Sequence, residues 1–253
     1  MSAFLKTKAI VLREVDYRDR DKLLTVLTSA QGKLTVKARG IKGSRNTMKS
    51  ACQLMAYSEM TLLRQGDRYV LTEAQSLELF SELQGDIVLL SLASYFLQVV
   101  EFTAQEEDAC PDLLSLLLNS LYALGKLKLS QSFVKSVFEL RLCCILGFRP
   151  DLRRCPCGNS LPCFFSLGDG RILCQDCVSK ENEVGIRLPV SYGSLQAIEY
   201  ISRCPSGKLF SFRLSPTALR ELSGITEAYM CTKLERGFYT LDFYKSLQIE
   251  GIL

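Results

Sequence analysis

The chain has 253 residues, enough for one large or two modest domains, and 31 Lys and Arg against 27 Asp and Glu give it a net charge of +4. It contains no histidine, which excludes Ser-His and Cys-His catalysis and metal sites with histidine ligands. Residues 1–50 hold twelve basic and four acidic residues, net +8, and the remainder is net −4, an asymmetry that indicates a polyanionic partner for the first part.

Five short strand-like segments occupy the first 77 residues. They are residues 4–12, 21–28, 33–39, 53–63 and 68–76. The alternation of hydrophobic and polar residues is clearest in the third segment. There Leu34, Val36 and Ala38 share one face, and mostly basic residues share the other. A five-stranded antiparallel barrel is the simplest closure, because it removes exposed strand edges. The OB-fold is such a barrel, and nucleic-acid binding is its common use.

Basic residues concentrate along this predicted barrel. The stretch GKLTVKARGIKGSR, residues 32–45, carries five of them and no acid. Lysine and arginine side chains in such a row can contact the phosphates of a nucleic-acid backbone, which provides affinity without reading the base sequence. With few aromatic residues nearby, mainly Tyr17, Tyr57 and Tyr69, we expect charge to dominate and stacking to be modest. The alternative is a solvated basic face that guards against aggregation. The candidate DNA contacts are Lys6, Lys8, Lys33, Lys37, Arg39, Lys42, Arg45, Lys49, Arg64 and Arg68.

Four acidic residues lie between the first two predicted strands. They are Glu14, Asp16, Asp19 and Asp21. A magnesium-dependent nuclease would need several carboxylates converging on one point. Here the acids alternate with Arg18 and Arg20 in a strand-joining loop, so the pattern favours surface pairs that neutralise each other. We therefore expect no catalytic residues and no enzymatic activity.

Helical patterns replace the strands after residue 80. The predicted helices are residues 82–101, 110–127, 130–148, 191–203 and a helix capped by Ser215 that runs to residue 239. The predicted fold class is therefore α+β, with the OB-fold barrel followed by an all-α domain and an inserted cysteine-rich, zinc-finger-like module. The predicted domains are residues 1–80 for the barrel, 81–152 and 179–253 for the two parts of the helical domain, and 153–178 for the cysteine module.

Closely spaced cysteines mark the insert as a candidate zinc site. Four thiolates repel one another unless a cation neutralises them, and a tetrahedral sulfur shell around Zn²⁺ does so. The predicted ligands are Cys155, Cys157, Cys174 and Cys177. The first pair is one residue closer than the usual Cys-x2-Cys, so Cys163 is a reserve fourth ligand and a three-thiolate site is the other fallback. A degenerate site that has lost its metal is the alternative. We expect structural zinc rather than catalytic zinc.

Two observations predict a cytoplasmic protein. The first nine residues lack the apolar core of a secretory signal, and the longest apolar run, residues 87–100, is too short to span a bilayer. Eleven cysteines in a chain with a sizeable core fit reduced thiols better than a disulfide scaffold.

Several motifs together resemble the RecO family of DNA repair proteins over nearly the whole chain. They are Tyr17-x-x-x-Asp21, Leu24-Thr25 with Thr28, Gly32-Lys33, Ala38-Arg39-Gly40, Phe165-Ser166 and Cys174-x2-Cys177. The Cys155-x-Cys157 spacing departs from the usual family pattern.

The resemblance implies an OB-fold domain that binds single- and double-stranded DNA, in a recombination mediator without enzymatic activity. It implies annealing of complementary strands and loading of the recombinase RecA on DNA coated with single-stranded DNA-binding protein. The implied partners are RecR, in some cases RecF, and the tail of the single-stranded DNA-binding protein, with the protein in the cytoplasm and associated with the nucleoid. The competing hypothesis is a zinc-stabilised protein-interaction adaptor whose basic barrel binds RNA or an acidic peptide.

Overall fold

The computed structural model describes residues 4–43, 47–66, 68–153, 155, 157–158, 163–180 and 185–250, with residues 163, 249 and 250 described by their backbone alone. The chain divides into two compact units. The first contains Met1–Lys126 and Phe238–Leu253, and the second contains Leu127–Gly237. None of the helices in the described ranges combines the length and the hydropathy that crossing a membrane requires.

The first unit begins with a closed five-stranded barrel, as the sequence predicted. Its strands are β1 (Phe4–Tyr17), β2 (Asp21–Thr28), β3 (Gly32–Ala38), β4 (Tyr57–Gln65) and β5 (Arg68–Glu78). They close in the order β1-β2-β3-β5-β4, and β1 pairs with both β2 and β4. All pairs are antiparallel except β3–β5, which pair in parallel at Val36↔Tyr69 and Lys37↔Val70. This is the connectivity of an OB-fold.

Alternating hydrophobic residues explain why these strands curl into a barrel. Leu34, Val36 and Ala38 of β3 are buried, whereas Thr35 is exposed and Lys37 half-buried, as their period of two predicted. Burying one face of every strand leaves the opposite face for polar and charged groups. The core is formed by Ala9, Val11, Leu24, Val26, Leu34, Val36, Ala38, Ile41, Cys52, Ala56, Met60, Leu62, Tyr69 and Leu71.

The first strand is longer than the sequence indicated. We expected it to end at Leu12, followed by a charged loop, but β1 continues to Tyr17 and pairs with β2 as far as Asp21. The register shifts between Val11 and Arg13, which breaks the simple alternation on which the shorter prediction relied. Only a short turn remains between β1 and β2.

Four helices complete the first unit. They are α1 (Ser81–Gln84), α2 (Ile87–Thr103), α3 (Pro111–Gly125) and α8 (Tyr239–Glu250). The Asp86 carboxylate caps α2 by accepting from the amides of Val88 and Leu89 at 2.8 and 3.1 Å. Helix α2 packs against α3 and α8, and the Phe238 ring meets the Tyr95 ring edge-on at 6.0 Å just before α8.

The second unit combines helices with a small sheet. Its elements are α4 (Gln131–Ile145), β6 (Cys163–Ser166), β7 (Ile172–Cys174), α5 (Gln175–Lys180), β8 (Arg187–Val190), α6 (Tyr192–Arg203) and α7 (Pro216–Leu234). The strands form an antiparallel sheet in the order β7-β6-β8, and α4 packs against α6 and α7. The predicted Ser215 cap and first-turn Pro216 are present in α7. The predicted continuation to residue 239 is wrong, because Glu235 adopts a left-handed conformation at φ 50° and ends the helix.

An ionic cluster lies between α4 and α7. The Lys135 ammonium contacts a carboxylate oxygen of Glu139 at 2.8 Å and one of Glu227 at 2.7 Å, and the Thr226 hydroxyl donates to Glu139 at 2.9 Å. Side-chain exposure is 4% for Lys135 and 0% for Glu139. Burial alone would lower the pKa of Lys135, but the two carboxylates outweigh it, so the net pKa shift is upward.

The turn between β6 and β7 gives a direct test of packing in the second unit. Gly170 has φ +69°, and a Cβ placed there would lie 2.3 Å from the Tyr229 hydroxyl oxygen. That hydroxyl donates to the carbonyl of Phe148 at 3.1 Å, which fixes its position. We expect Gly170→Ala to lower the free energy of unfolding by about 2–3 kcal/mol, measured by urea denaturation.

Gly168 provides the matched control for that substitution. It lies in the same turn, its φ is not positive, and a Cβ placed there meets nothing within 4 Å. Gly168→Ala should therefore change the free energy of unfolding by less than about 0.5 kcal/mol. Equal effects of the two substitutions would contradict this description of the turn.

Candidate nucleic-acid interface and metal centre

Three predicted DNA contacts lie at or near the β4–β5 turn, beside the end of β3. The Arg39 guanidinium reaches the Gln65 side-chain oxygen at 3.4 Å, and Gln65 pairs with Arg68 across the turn. Arg64 donates to the carbonyl of Gly66 at 3.3 Å in the same turn. All three arginines are exposed. We call Arg39, Arg64 and Arg68 the arginine edge.

Lys37 lies next to this edge and is held by the β1–β2 hairpin. Its ammonium contacts the Asp21 carboxylate at 3.0 Å and lies 4.9 Å from the centre of the Tyr17 ring. The other Asp21 oxygen accepts from the Gly40 amide at 2.9 Å. The Gly40 amide first, and then Lys37, hold the pKa of Asp21 below its usual value. Asp21 thus ties the hairpin to the end of β3.

A second group of lysines surrounds a cavity of about 290 Å³ at the end of the barrel. Lys22, Lys42 and Lys49 line it together with Asp16, and we call this cavity the lysine pocket. Lys42 contacts Asp16 at 2.8 Å, and Lys22 contacts Glu14 at 2.9 Å. The hydrogen bond from Lys42 is the main cause that lowers the pKa of Asp16.

The remaining predicted contacts lie elsewhere. Lys6 and Lys8 are exposed on the β1–β4 wall, where Lys6 contacts Glu59 at 2.9 Å. The Lys33 ammonium donates to the carbonyl of Glu101 at the end of α2, at 3.0 Å. Arg45 lies outside the described residues. The nine predicted contacts in the described ranges therefore do not form one continuous row.

Sequence reasoning passed over two arginines in the β1–β2 hairpin. Arg18 and Arg20 were expected to neutralise the neighbouring acids, but Glu14, Asp16 and Asp21 contact lysines instead. Both arginines are exposed, and no carboxylate in the described ranges forms an ion pair with either. Their position at a hairpin tip, where OB-folds commonly bind nucleic acid, is the signal that could have identified them.

The four predicted metal ligands come together in the second unit. The sulfur atoms of Cys155, Cys157, Cys174 and Cys177 all lie within 4.8 Å of one another. The Cys157 sulfur lies 3.6 Å from that of Cys155 and 3.4 Å from that of Cys174. Sulfur atoms around a tetrahedral zinc are about 3.8 Å apart. The cluster therefore has the size and the donor type of a metal-binding site.

Local backbone structure explains how these cysteines converge. The Gly158 amide donates to the carbonyl of Cys155 at 2.8 Å, and Gly158 has φ +85°, so a tight turn brings Cys155 and Cys157 together despite their short spacing. Cys174 ends β7, and Cys177 lies one helical turn later in α5. The side chain of Cys163, the reserve ligand, lies outside the described residues.

The protonation of the cluster also fits a cation site. The backbone amide of Cys177, followed by hydrogen bonds from neighbouring thiols, lowers the pKa of Cys174 to about 6. Hydrogen bonds to Cys155 and Cys157 raise the pKa of Cys177 to about 12. The Cys174 thiolate therefore forms readily, whereas the Cys177 thiol keeps its proton. A divalent cation would remove the repulsion between thiolates and deprotonate the remaining thiols.

Comparisons with known proteins agree over nearly the whole chain. The family model described as Recombination protein O N terminal matches residues 1–80, and Recombination protein O C terminal matches residues 84–242. The chain is 32% identical over 247 residues to the DNA repair protein RecO of Acetivibrio thermocellus, covering 96% of this chain and 97% of the relative. It is 31% identical to that of Desulforudis audaxviator, covering 97% and 98%, and 30% identical to that of Caldicellulosiruptor bescii, covering 96% and 99%.

Proposed function

The chain belongs to the RecO family of DNA repair proteins, and we propose on that basis that it is a recombination mediator without enzymatic activity. It binds single- and double-stranded DNA, anneals complementary strands and helps load RecA on DNA coated with single-stranded DNA-binding protein. The observation that carries the DNA-binding part is the arginine edge, with Lys37 beside it, at the loops that OB-folds commonly use to bind nucleic acid.

The charge arrangement supports backbone binding rather than base reading. Arg39 and Arg68 are exposed and form no ion pair in the described part of the chain, so a phosphate can contact them without displacing a carboxylate. Lys37 is held by Asp21 and has to exchange that carboxylate for a phosphate. Neutralising phosphates of two strands at once lowers the repulsion between those strands, which gives annealing a physical basis.

The remaining basic residues and several protein partners complete the proposed function. Lys6, Lys8, Lys42, Arg45 and Lys49 extend the basic surface, whereas Lys33 is engaged by α2 and contributes least. We propose RecR, the tail of the single-stranded DNA-binding protein and, in some settings, RecF as partners, acting on DNA of the nucleoid in the cytoplasm.

We further propose that Cys155, Cys157, Cys174 and Cys177 hold one structural Zn²⁺. Four sulfur donors and no open coordination position favour a structural role over a catalytic one. When bound, the ion supplies the positive charge that keeps all four thiolates close together. The cysteines in turn connect the Gly158 turn, β7 and α5, so they fix the small sheet to its helix.

Reversing two charges at the arginine edge tests the DNA-binding proposal. We expect Lys37→Glu/Arg39→Glu to weaken binding of a fluorescent single-stranded oligonucleotide by at least about tenfold and to abolish strand annealing. For wild type, about five phosphate contacts predict a log–log salt slope near −3.5, an affinity loss of roughly a hundredfold between about 50 and about 200 mM salt. The double variant should have a slope shallower by about 1.4.

A control with the same change in charge separates local contact from net charge. Lys180→Glu/Lys208→Glu alters two exposed lysines of the second unit and should leave the salt slope unchanged. Equal loss of affinity in both double variants would contradict the proposed interface. A wild-type slope near −1 would favour a peptide partner instead of nucleic acid.

A further inference from the structure

The lysine pocket contains an ion pair whose two members differ in their exposure to water. Side-chain exposure is 70% for Asp16 and 29% for Lys42. The Lys42 side chain is therefore largely covered, whereas the Asp16 side chain is mostly open to solvent. Lys22 and Lys49 line the same cavity, so three lysines border a single small space.

Asp16 occupies the position that an external anion would take. A carboxylate and a backbone phosphate each carry one negative charge and present two acceptor oxygens to an ammonium donor. Asp16 accepts from Lys42 at 2.8 Å, a normal distance for a charge-assisted hydrogen bond. The other carboxylate nearby, that of Glu14, is directed to Lys22.

We propose that the lysine pocket is a phosphate subsite of the DNA-binding surface and that Asp16 is its internal competitor. When DNA binds, a backbone phosphate replaces the Asp16 carboxylate on Lys42, while Lys22 and Lys49 add to the attraction. Asp16 turns into the solvent, to which most of its side chain is already exposed. This inference rests on the proposed function, because it assigns a role to residues within the same surface.

The strength of the pair suits an exchange of this kind. An exposed ion pair changes an equilibrium by only about two- to fivefold, so a phosphate with several other contacts can displace the carboxylate. The competitor therefore lowers DNA affinity slightly without preventing binding. For a protein that pairs two strands and then has to leave the duplex, faster release is useful, and small affinity differences at one interface lie mostly in the dissociation rate.

Removing the competitor tests the inference, and the chain offers a matched control. Asp16→Asn and Asp19→Asn each remove one negative charge from exposed positions near the same hairpin, but no ion pair in the described ranges involves Asp19. We expect Asp16→Asn to raise affinity for a single-stranded oligonucleotide by about threefold. Asp19→Asn should raise it by a smaller factor, through long-range charge alone.

Repeating the two asparagine substitutions in a Lys42→Gln variant shows whether Asp16→Asn changes DNA affinity through the lysine pocket. Lys42→Gln alone should make the log–log salt slope shallower by about 0.7, one phosphate contact on a single strand. In that background Asp16→Asn should have no larger effect than Asp19→Asn. If wild type binds DNA but the two asparagine variants behave alike, or if Lys42→Gln leaves the slope unchanged, this inference is wrong. If wild type does not bind DNA, the proposed function itself fails.

Discussion

Replacing Lys135 by methionine is expected to lower the free energy of unfolding by about 3–5 kcal/mol. Lys135 is a buried cation between α4 and α7, and without it the fully buried Glu139 carboxylate loses an ion pair at 2.8 Å. The hydrogen bond from Thr226 remains but carries no full charge to offset the carboxylate. Urea denaturation followed by far-ultraviolet circular dichroism measures the change.

A second substitution shows whether loss of the Lys135–Glu139 ion pair is the cause. Lys135→Met/Glu139→Gln removes both charges of that pair, and Glu227 is partly exposed and can turn toward water. We expect it to recover at least half of the lost stability. Lys126 provides a surface counterpart, since it also contacts two carboxylates, those of Glu78 and Glu82, but is exposed. Lys126→Met should have a much smaller effect, and comparable losses at Lys126 and Lys135 would refute this explanation.

The other large effect is expected at the cysteine cluster. Protein purified without added metal should contain about one zinc per chain, and Cys174→Ser should contain little or none. Structural zinc in small finger peptides binds with about 10–16 kcal/mol of apparent free energy. Loss of a ligand should therefore unfold the sheet of β6, β7 and β8 locally, which hydrogen exchange of those strands would detect. A chelator should destabilise wild type and leave Cys174→Ser unaffected.

Two other cysteines distinguish the proposed ligand set from its alternatives. Cys163→Ser and Cys110→Ser should both retain the metal, because the four clustered sulfur atoms already complete a tetrahedral shell. Loss of zinc in Cys163→Ser would mean that the reserve ligand is used. Metal-free wild type would favour the degenerate site that the short Cys155-x-Cys157 spacing left open.

The parts of the fold that depend on local pattern could be predicted from the sequence. The period of two in β3 places Leu34 and Val36 in the barrel core, and the Ser215-Pro216 pair marks the start of α7. The clustering of the four cysteines also followed from spacing, although the turn at Gly158 that brings the first two together was not foreseen. In each case a few neighbouring residues carry enough information.

The parts that depend on tertiary contacts could not be predicted. The pairing of Asp16 with Lys42 joins residues 26 positions apart, and nothing in the alternating charges of the hairpin distinguishes it from pairing with Arg18 or Arg20. Lys33 looked equivalent to Lys37 on the same strand face, yet only Lys33 is covered by the end of α2. The contacts of each basic side chain depend on which distant segment packs beside it.

The return of the chain to the first unit has a consequence for synthesis. Helix α8 packs on α2, and Phe238 contacts Tyr95, although more than 140 residues separate them along the chain. The ribosome synthesises α2 long before α8. The part of α2 that packs against α8 therefore stays uncovered by that helix in the nascent chain. Such exposed apolar surface is prone to aggregation. The nascent protein should therefore need chaperones less once residues 239–250 have left the ribosome and can pack on α2.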